Sequence, residues 1–235
     1  MIEWKQRDAF VGVFDILGFK NLIRQTDQEF PRAKLTGQLD DLLGTVDDQD
    51  VREHGQVECM VFSDAIMIFA PDLGDSPLHS YGWFHLLCTR LITKSVEIRL
   101  PLRGAISVGT AFTSTSPPII LGPSFLEAHQ YCEDQDWIGL LLTPSATEKF
   151  MKVEFNPIRI DFVSDNNIPL RNMPSKNVMA YRFQNAEANF SSPLLPVLDE
   201  MRRLAPCCAK KKYTKTIRFI ERHYRYSSGE PTFHG

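Results

Sequence analysis

The chain lacks most of the features that announce a function class. It has only five cysteines in 235 residues, Cys59, Cys88, Cys132, Cys207 and Cys208. That odd number with no C-x-x-C spacing indicates neither a disulfide framework nor a zinc site, and buried reduced thiols are expected. No stretch approaches the ~18 consecutive apolar residues of a membrane span. The opening MIEWKQRDAF has no basic stretch leading into an apolar core of the signal-peptide kind, so a cytosolic protein without membrane insertion is expected. An excess of one charge is missing as well. The formal net charge of −3 argues against a general nucleic-acid or membrane-surface binder, and Lys210, Lys211 and Lys212 form the one basic cluster. No repeat, low-complexity segment or linker divides the chain, and the six histidines scatter without ligand spacing.

What is present is the composition of an ordinary globular protein with a sizeable core. Residues 9 to 14 read as a strand ending at Asp15, after which Gly18 breaks the run and KNLIRQ opens a helical pattern. Apolar residues from Pro31 to about Thr45 recur at helical spacing. Two β-rich runs, 57 to 62 and 65 to 70, flank Ser63-Asp64 as a hairpin. A helix over 77–97 should turn Trp83, Phe84, Leu87, Leu91 and Ile92 inward. LRGAISVGTAF (102–112) reads as a strand, followed by the short run 119–121, a helix opened by Gly122-Pro123-Ser124 and a buried strand over 138–144. Weaker patterns predict strands at 157–163 and 177–183 and helices at about 193–207 and 212–226. The order implies an α+β sandwich with helices on an antiparallel-rich sheet. One domain over 1–235 is expected, with a core at about 8–150 and a C-terminal elaboration at about 151–235.

Two carboxylates stand out because each lies in an apolar run, Asp15 in FVGVFDILGFKNLI and Asp64 in VECMVFSDAIMIFA. A bare carboxylate at a buried strand end costs several kcal/mol unless a basic partner, backbone donors or a divalent metal compensates it. If the hairpin lies beside the first strand, the two carboxylates and a backbone carbonyl form a hard, oxygen-lined site suited to Mg²⁺ or Mn²⁺. Behind Asp15, the turn through Gly18 and Phe19 leads into a helix start that presents N–H groups to an anion. The competing reading makes Asp15 a helix cap and Asp64 a turn residue. Arg103 has two readings, contact with a phosphate or an ion pair with Asp15 or Asp64. Lys20 reads as a solvated helix residue. Lys210 to Lys212, with Lys215 and Arg218, read either as a solvated face or as a basic flap over a triphosphate. Glu127 and Tyr131 share a helix face and suit packing or a ligand cleft.

These segments resemble a known family. FDILGF is similar to the F-x-D-I-x-G-F segment of class III nucleotidyl cyclases, FSDAIMIF to their G-D-x-x-M-x-x-F hairpin, and LRGAISVG to their R-x-G-I-x-x-G strand. Together with GPSFLEA they span residues 10 to about 142 in the family's order. The resemblance implies a ferredoxin-like α+β fold working as a head-to-tail homodimer. It implies two Mn²⁺ or Mg²⁺ ions per site held by Asp15, Asp64 and the carbonyl of Ile16, with Arg103 catalytic and Gly18, Phe19, Met60, Ser63 and Ile119 facing substrate. The implied reaction is attack of a nucleoside triphosphate's 3′-hydroxyl on its α-phosphate, with pyrophosphate leaving.

The family's adenine-reading lysine and aspartate fall on Met60 and Ile119, and its transition-state asparagine and arginine on Leu126 and Gln130. An enzyme built to hydrogen-bond adenine loses much of its discrimination without those polar groups. What remains is most similar to the bacterial cyclases of Pycsar antiphage systems, which implies UTP, in preference to CTP, as substrate and a separate effector that responds to the cyclic nucleotide. The alternatives are a nucleotide-binding sensor without turnover and an adenylate or guanylate cyclase.

Overall fold

The alternation of the apolar runs carries through into the structure, a computed structural model that describes residues 4–24, 29–46, 57–72, 77–115, 118–152, 161–174, 176–183 and 194–224. In chain order the elements are β1 (Lys5–Ile16), α1 (Phe19–Arg24), α2 (Glu29–Val46), β2 (Glu58–Phe62), β3 (Ala65–Pro71), α3 (Pro77–Glu97), β4 (Leu102–Thr115), β5 (Pro118–Leu121), α4 (Pro123–Asp134), β6 (Gly139–Leu142), α5 (Pro144–Met151), β7 (Phe162–Ser164), β8 (Met179–Tyr181), α6 (Leu194–Leu204) and α7 (Cys207–Tyr224). The strands form one sheet in the order β2-β3-β1-β4-β6-β8-β7, with β5 added to the far end of β4. Among these pairs only β4 and β6 run parallel.

β1 is central because its apolar run can be covered on both faces. Phe10, Gly12 and Phe14 face α3, where a Cβ on Gly12 would lie 3.4 Å from Phe84 Cζ and 3.3 Å from Cys88 Sγ. Side chains alternate along a strand, so Val11, Val13 and Asp15 face the other way, toward α4. Ser107, paired with Val11 across the ladder, confirms that face by donating its hydroxyl to the carbonyl of Ser124 at 2.5 Å. Gly104 lies opposite Phe14, and a Cβ there would sit 2.4 Å from the Phe14 ring, so the close approach requires glycine.

Two expectations are corrected. The strand predicted over 138–144 is only Gly139–Leu142, and Pro144 starts a helix instead, because proline suits a first helical turn and cannot donate to a sheet ladder. Trp83 is half-buried on the flank of α3, while Phe84, Leu87, Leu91 and Ile92 are buried as expected. The strand predicted over 157–163 is described from Asp161 onward, where β7 begins at Phe162; residues 157–160 lie outside the described residues.

The crossover from β4 through α4 to parallel β6 returns the chain to the end of the sheet where β4 began. β8 and β7 then extend the sheet, and α6 and α7 pack on each other and on the core. Thr216, fully buried in α7, accepts the N–H of Ile138 at 2.8 Å and reaches its carbonyl at 3.1 Å. Phe219 meets the indole of Trp137 edge-on at 4.6 Å. Burying Phe219 and Ile220 here is worth roughly 2–3 kcal/mol each.

Candidate active site

Strand register brings the two sequence-marked carboxylates together. Asp15 is the last β1 residue paired with β3, opposite Ala65, and the next residue, Ile16, donates its N–H to the carbonyl of Asp64 at 3.0 Å. Asp64 is the second residue of a two-residue hairpin turn whose first, Ser63, is held at a φ of 57°, a region that few non-glycine residues adopt. The turn thus fixes Asp64 beside the end of β1. Behind them Gly18, at a φ of 80°, lets the chain leave the sheet, with Leu17 donating to the carbonyl of Pro101 at 2.9 Å. Phe19 is half-buried at the start of α1, which is only six residues long.

Arg103 stands directly across from Asp15 on β4. Its Nε and Nη2 both meet Oδ2 of Asp15, each at 2.7 Å, while Nη1 donates to the carbonyls of Glu133 at 2.6 Å and Gln135 at 3.0 Å. Four of the five guanidinium N–H groups are therefore committed. Of its two readings, the ion pair with Asp15 is the one the geometry displays. Oδ1 of Asp15 has no hydrogen-bond partner among the described residues. Burial is the largest influence on the Asp15 carboxyl and, with the charges of Asp64 and Glu133, raises it above its ordinary range against the opposing charge and hydrogen bond of Arg103.

Among the described residues no three His, Cys, Asp or Glu side chains converge as a metal site. Two carboxylates, one with a free oxygen, beside a strand-end carbonyl are nevertheless the oxygen-only donors that suit Mg²⁺ or Mn²⁺, whose remaining ligands are commonly water and substrate phosphates. The arrangement fits a hard divalent ion held by Asp15, Asp64 and Ile16.

The other residues marked by sequence sit at different distances from this pair. Met60, half-buried on β2, is level with Met67 and Val13, two strands or roughly 10 Å across from β1. Ile119 on β5 pairs with Ser114, roughly 35 Å along β4 from Arg103, so within one chain it does not approach Asp15. Leu126 is 54% exposed and Gln130 is exposed, both on the outer face of α4. Glu127 accepts from the backbone and hydroxyl of Ser145, and buried Tyr131 donates to the carbonyl of Pro174, so both serve packing. Lys20 is exposed.

Several contributors carry no legible sequence signal. The Asp134 carboxylate accepts the backbone N–H groups of Arg171, Asn172 and Met173 and the Asn172 side-chain amide, at 2.8–3.0 Å. Burial alone would raise its pKa, but these donors outweigh it and hold the carboxyl below its usual range. This latch lays Arg171 against the C-terminus of α4, where its guanidinium donates to the carbonyls of Glu133 and Asp134.

Neither a family model nor a curated protein sequence matches the chain. Solved structures do. The catalytic core of a rhodopsin-guanylyl cyclase with converted specificity, in complex with ATPαS, superposes with a TM-score of 0.51 at 12% identity, covering 76% of this chain and 97% of that one. A double mutant of the guanylyl cyclase domain of the RhoGC fusion protein from the aquatic fungus Blastocladiella emersonii also gives 0.51, at 14% identity and 76% and 96% coverage. The fold is thus the α+β fold of class III nucleotidyl cyclase domains, as the sequence motifs led one to expect.

Proposed function

We propose that this chain is a metal-dependent nucleotidyl cyclase that converts UTP, in preference to CTP, to the 3′,5′-cyclic monophosphate and pyrophosphate. The observation that carries the reading is the convergence of Asp15 and Asp64 at adjoining strand ends of a cyclase fold, with Arg103 holding one oxygen of Asp15 and leaving the other free. Arg103 acts as a positioning residue that keeps Asp15 ionised and oriented. Asp15, Asp64 and the Ile16 carbonyl would hold two Mn²⁺ or Mg²⁺ ions, which would supply charge stabilisation at the phosphates and lower the pKa of the 3′-hydroxyl. Catalysis then rests on placing that hydroxyl in line with the α-phosphate.

The base preference rests on Met60 and Ile119, apolar residues where purine-reading family members carry polar ones. The separation of Ile119 from Asp15 within one chain supports a head-to-tail homodimer, in which one protomer brings the Asp15 end of the sheet to the partner's β5 and α4. In this reading the protein is a single-domain cytosolic enzyme of bacterial antiphage defence, and its product acts on a separate effector.

Incubation of the protein with Mn²⁺ and each of ATP, GTP, CTP and UTP, with products weighed by mass spectrometry, tests the reading. A cyclic UMP peak that disappears in Asp64→Ala is expected. The rival sensor reading rests on Leu126 and Gln130, which cannot stand in for the family's transition-state pair, and four intact triphosphates would favour it or an enzyme that awaits an activator.

A further inference from the structure

We infer that Gln135 is a positioning residue for Asp15, acting through Arg103, and that Trp137 extends its hold to the C-terminal helix α7. The inference rests on the cyclase reading for what the positioned carboxylate does, and on geometry alone for how it is held.

Arg103 is grasped at two points by this one residue. The Gln135 carbonyl accepts from Arg103 Nη1 at 3.0 Å, and the Gln135 side chain donates from Nε2 to the carbonyl of Gly104, the next residue of β4, at 2.7 Å. The other amide atom, Oε1, accepts the indole N–H of Trp137 at 2.9 Å. A carbonyl only accepts and an indole only donates, so a side-chain amide satisfies both partners at once and can do so in one orientation only. Gln135 and Trp137 are fully buried, where a donor or acceptor without a partner is costly and glutamine is seldom placed unless its amide is used.

The place of Gln135 in the chain explains why a clamp is needed. It caps the C-terminus of α4, its own N–H reaches the Cys132 carbonyl only at 3.4 Å, and its backbone bridges to Leu170 in the irregular stretch gathered by Asp134. Those contacts fix the turn to residues 169–171, while the ladder joining β6 to β4 begins only at Gly139. Toward β4 the turn has the bonds from Arg103 Nη1, a long contact from Cys132 Sγ to the Arg103 carbonyl at 3.5 Å, and the Gln135 amide. Of these the amide is the short bond that does not depend on the Arg103 rotamer. Nε and Nη2 of Arg103 both meet Oδ2 of Asp15, so a small shift of the guanidinium would carry a donor onto Oδ1, the oxygen left for a metal. Groups that orient a metal ligand from one bond away are commonly worth about 10–100-fold in metal affinity. Trp137 in turn lies edge-on to Phe219 of α7, so the support of this carboxylate begins in the C-terminal elaboration.

Two readouts test the hold without turnover. In protein carrying isotopically labelled arginine, the Nε–H of Arg103, identified by its loss in Arg103→Lys, should exchange slowly with water in wild type and Asp64→Ala alike. It should exchange at least about tenfold faster in Gln135→Met and about threefold faster in Trp137→Phe, which keeps the bond to Gly104. Titration with Mn²⁺ alone should give the same order, with affinity about tenfold lower in Gln135→Met and about threefold lower in Trp137→Phe. In turnover, the Mn²⁺ concentration for half-maximal rate should rise more than kcat at saturating Mn²⁺ falls, a split that a general loss of stability does not produce. Trp137→Phe is the milder change and carries the test if Gln135→Met does not fold. A folded variant of either kind with wild-type exchange at Arg103 and wild-type Mn²⁺ affinity would overturn the inference and leave the cyclase reading untouched. Exchange that rises as described in a protein that takes up no Mn²⁺ and turns over no triphosphate would instead defeat the cyclase and leave the hold on Asp15 standing.

Discussion

Replacing Arg103 with glutamine removes a charge that three different parts of the fold lean on. At an effective dielectric constant of about 20, charges some 4 Å apart attract by about 4 kcal/mol, most of it offset by desolvation of the pair. The larger effect comes from what is left behind. A fully buried carboxylate stripped of its partner costs about 3–5 kcal/mol. The Asp15 side chain is 25% exposed and that of Arg103 12%, so water recovers part of this and about 2–3 kcal/mol remains. The carbonyls of Glu133 and Gln135 lose a donor each, adding about 0.5–1 kcal/mol apiece. Arg103→Gln should thus lose about 3–5 kcal/mol, read as a lower urea midpoint with an unchanged slope and a melting temperature lower by about 6–20 °C. Asp15→Asn should relieve the strain, so a double-mutant cycle of the two should show coupling of at least about 1 kcal/mol. Without Arg103, the opposing pull on Asp15 is gone and its carboxyl rises further, so the variant's activity should fall off at higher pH than that of wild type. A loss under about 1 kcal/mol, or independent effects in the cycle, would refute the idea that Arg103 exists to hold Asp15.

Three further outcomes are expected. A carboxyl whose folded pKa is depressed adds stability above its unfolded value near 3.8 and loses it as pH falls through the folded value, so Asp134→Asn should be about 1–3 kcal/mol less stable than wild type at pH 7, with the gap closing below about pH 3.8. Urea midpoints across pH that keep a constant gap would contradict this. Gly104→Ala should cost about 2–3 kcal/mol, because its Cβ meets the ring of the fully buried Phe14; a melting curve matching wild type would show that the ring can move aside. Thr216→Val keeps the volume of the side chain but strands the Ile138 N–H, and should lower stability by about 1–3 kcal/mol and speed amide exchange at Ile138.

Much of the sheet was legible because its signals are local. The hairpin over 57–62 and 65–70 emerges within a residue of its expected ends, since two β-rich runs with only Ser63-Asp64 between them have few other ways to fold. The helix over 77–97 is found over the same residues. The meeting of Asp15 with Asp64 required only that the hairpin lie beside β1. The ion pair of Arg103 with Asp15 was legible only as one of several readings, because it spans 88 residues and the choice among them depends on the β1–β4 register. The Asp134 latch was hidden for another reason. Its donors are mostly backbone N–H groups of an irregular stretch, which any sequence supplies and none advertises. Arg171 inherits its position from that latch, so it did not stand apart from an ordinary solvated base.

The pairing of β1 with β4 runs unbroken from Lys5 opposite Thr113 to Ile16 opposite Leu102. A slip by one residue would turn Asp15 to the α3 side and drive Val11 and Val13 out of their packing, so the strand has no partly shifted state to fall into. Displacement of Asp15 and unfolding of the sheet are therefore one event in this molecule. An enzyme whose carboxylates ride on a loose loop goes silent in mild urea while its core persists. On the cyclase reading, at concentrations that keep the proposed dimer intact, the loss of turnover with rising urea should track the loss of sheet signal, and surviving activity then counts the folded molecules.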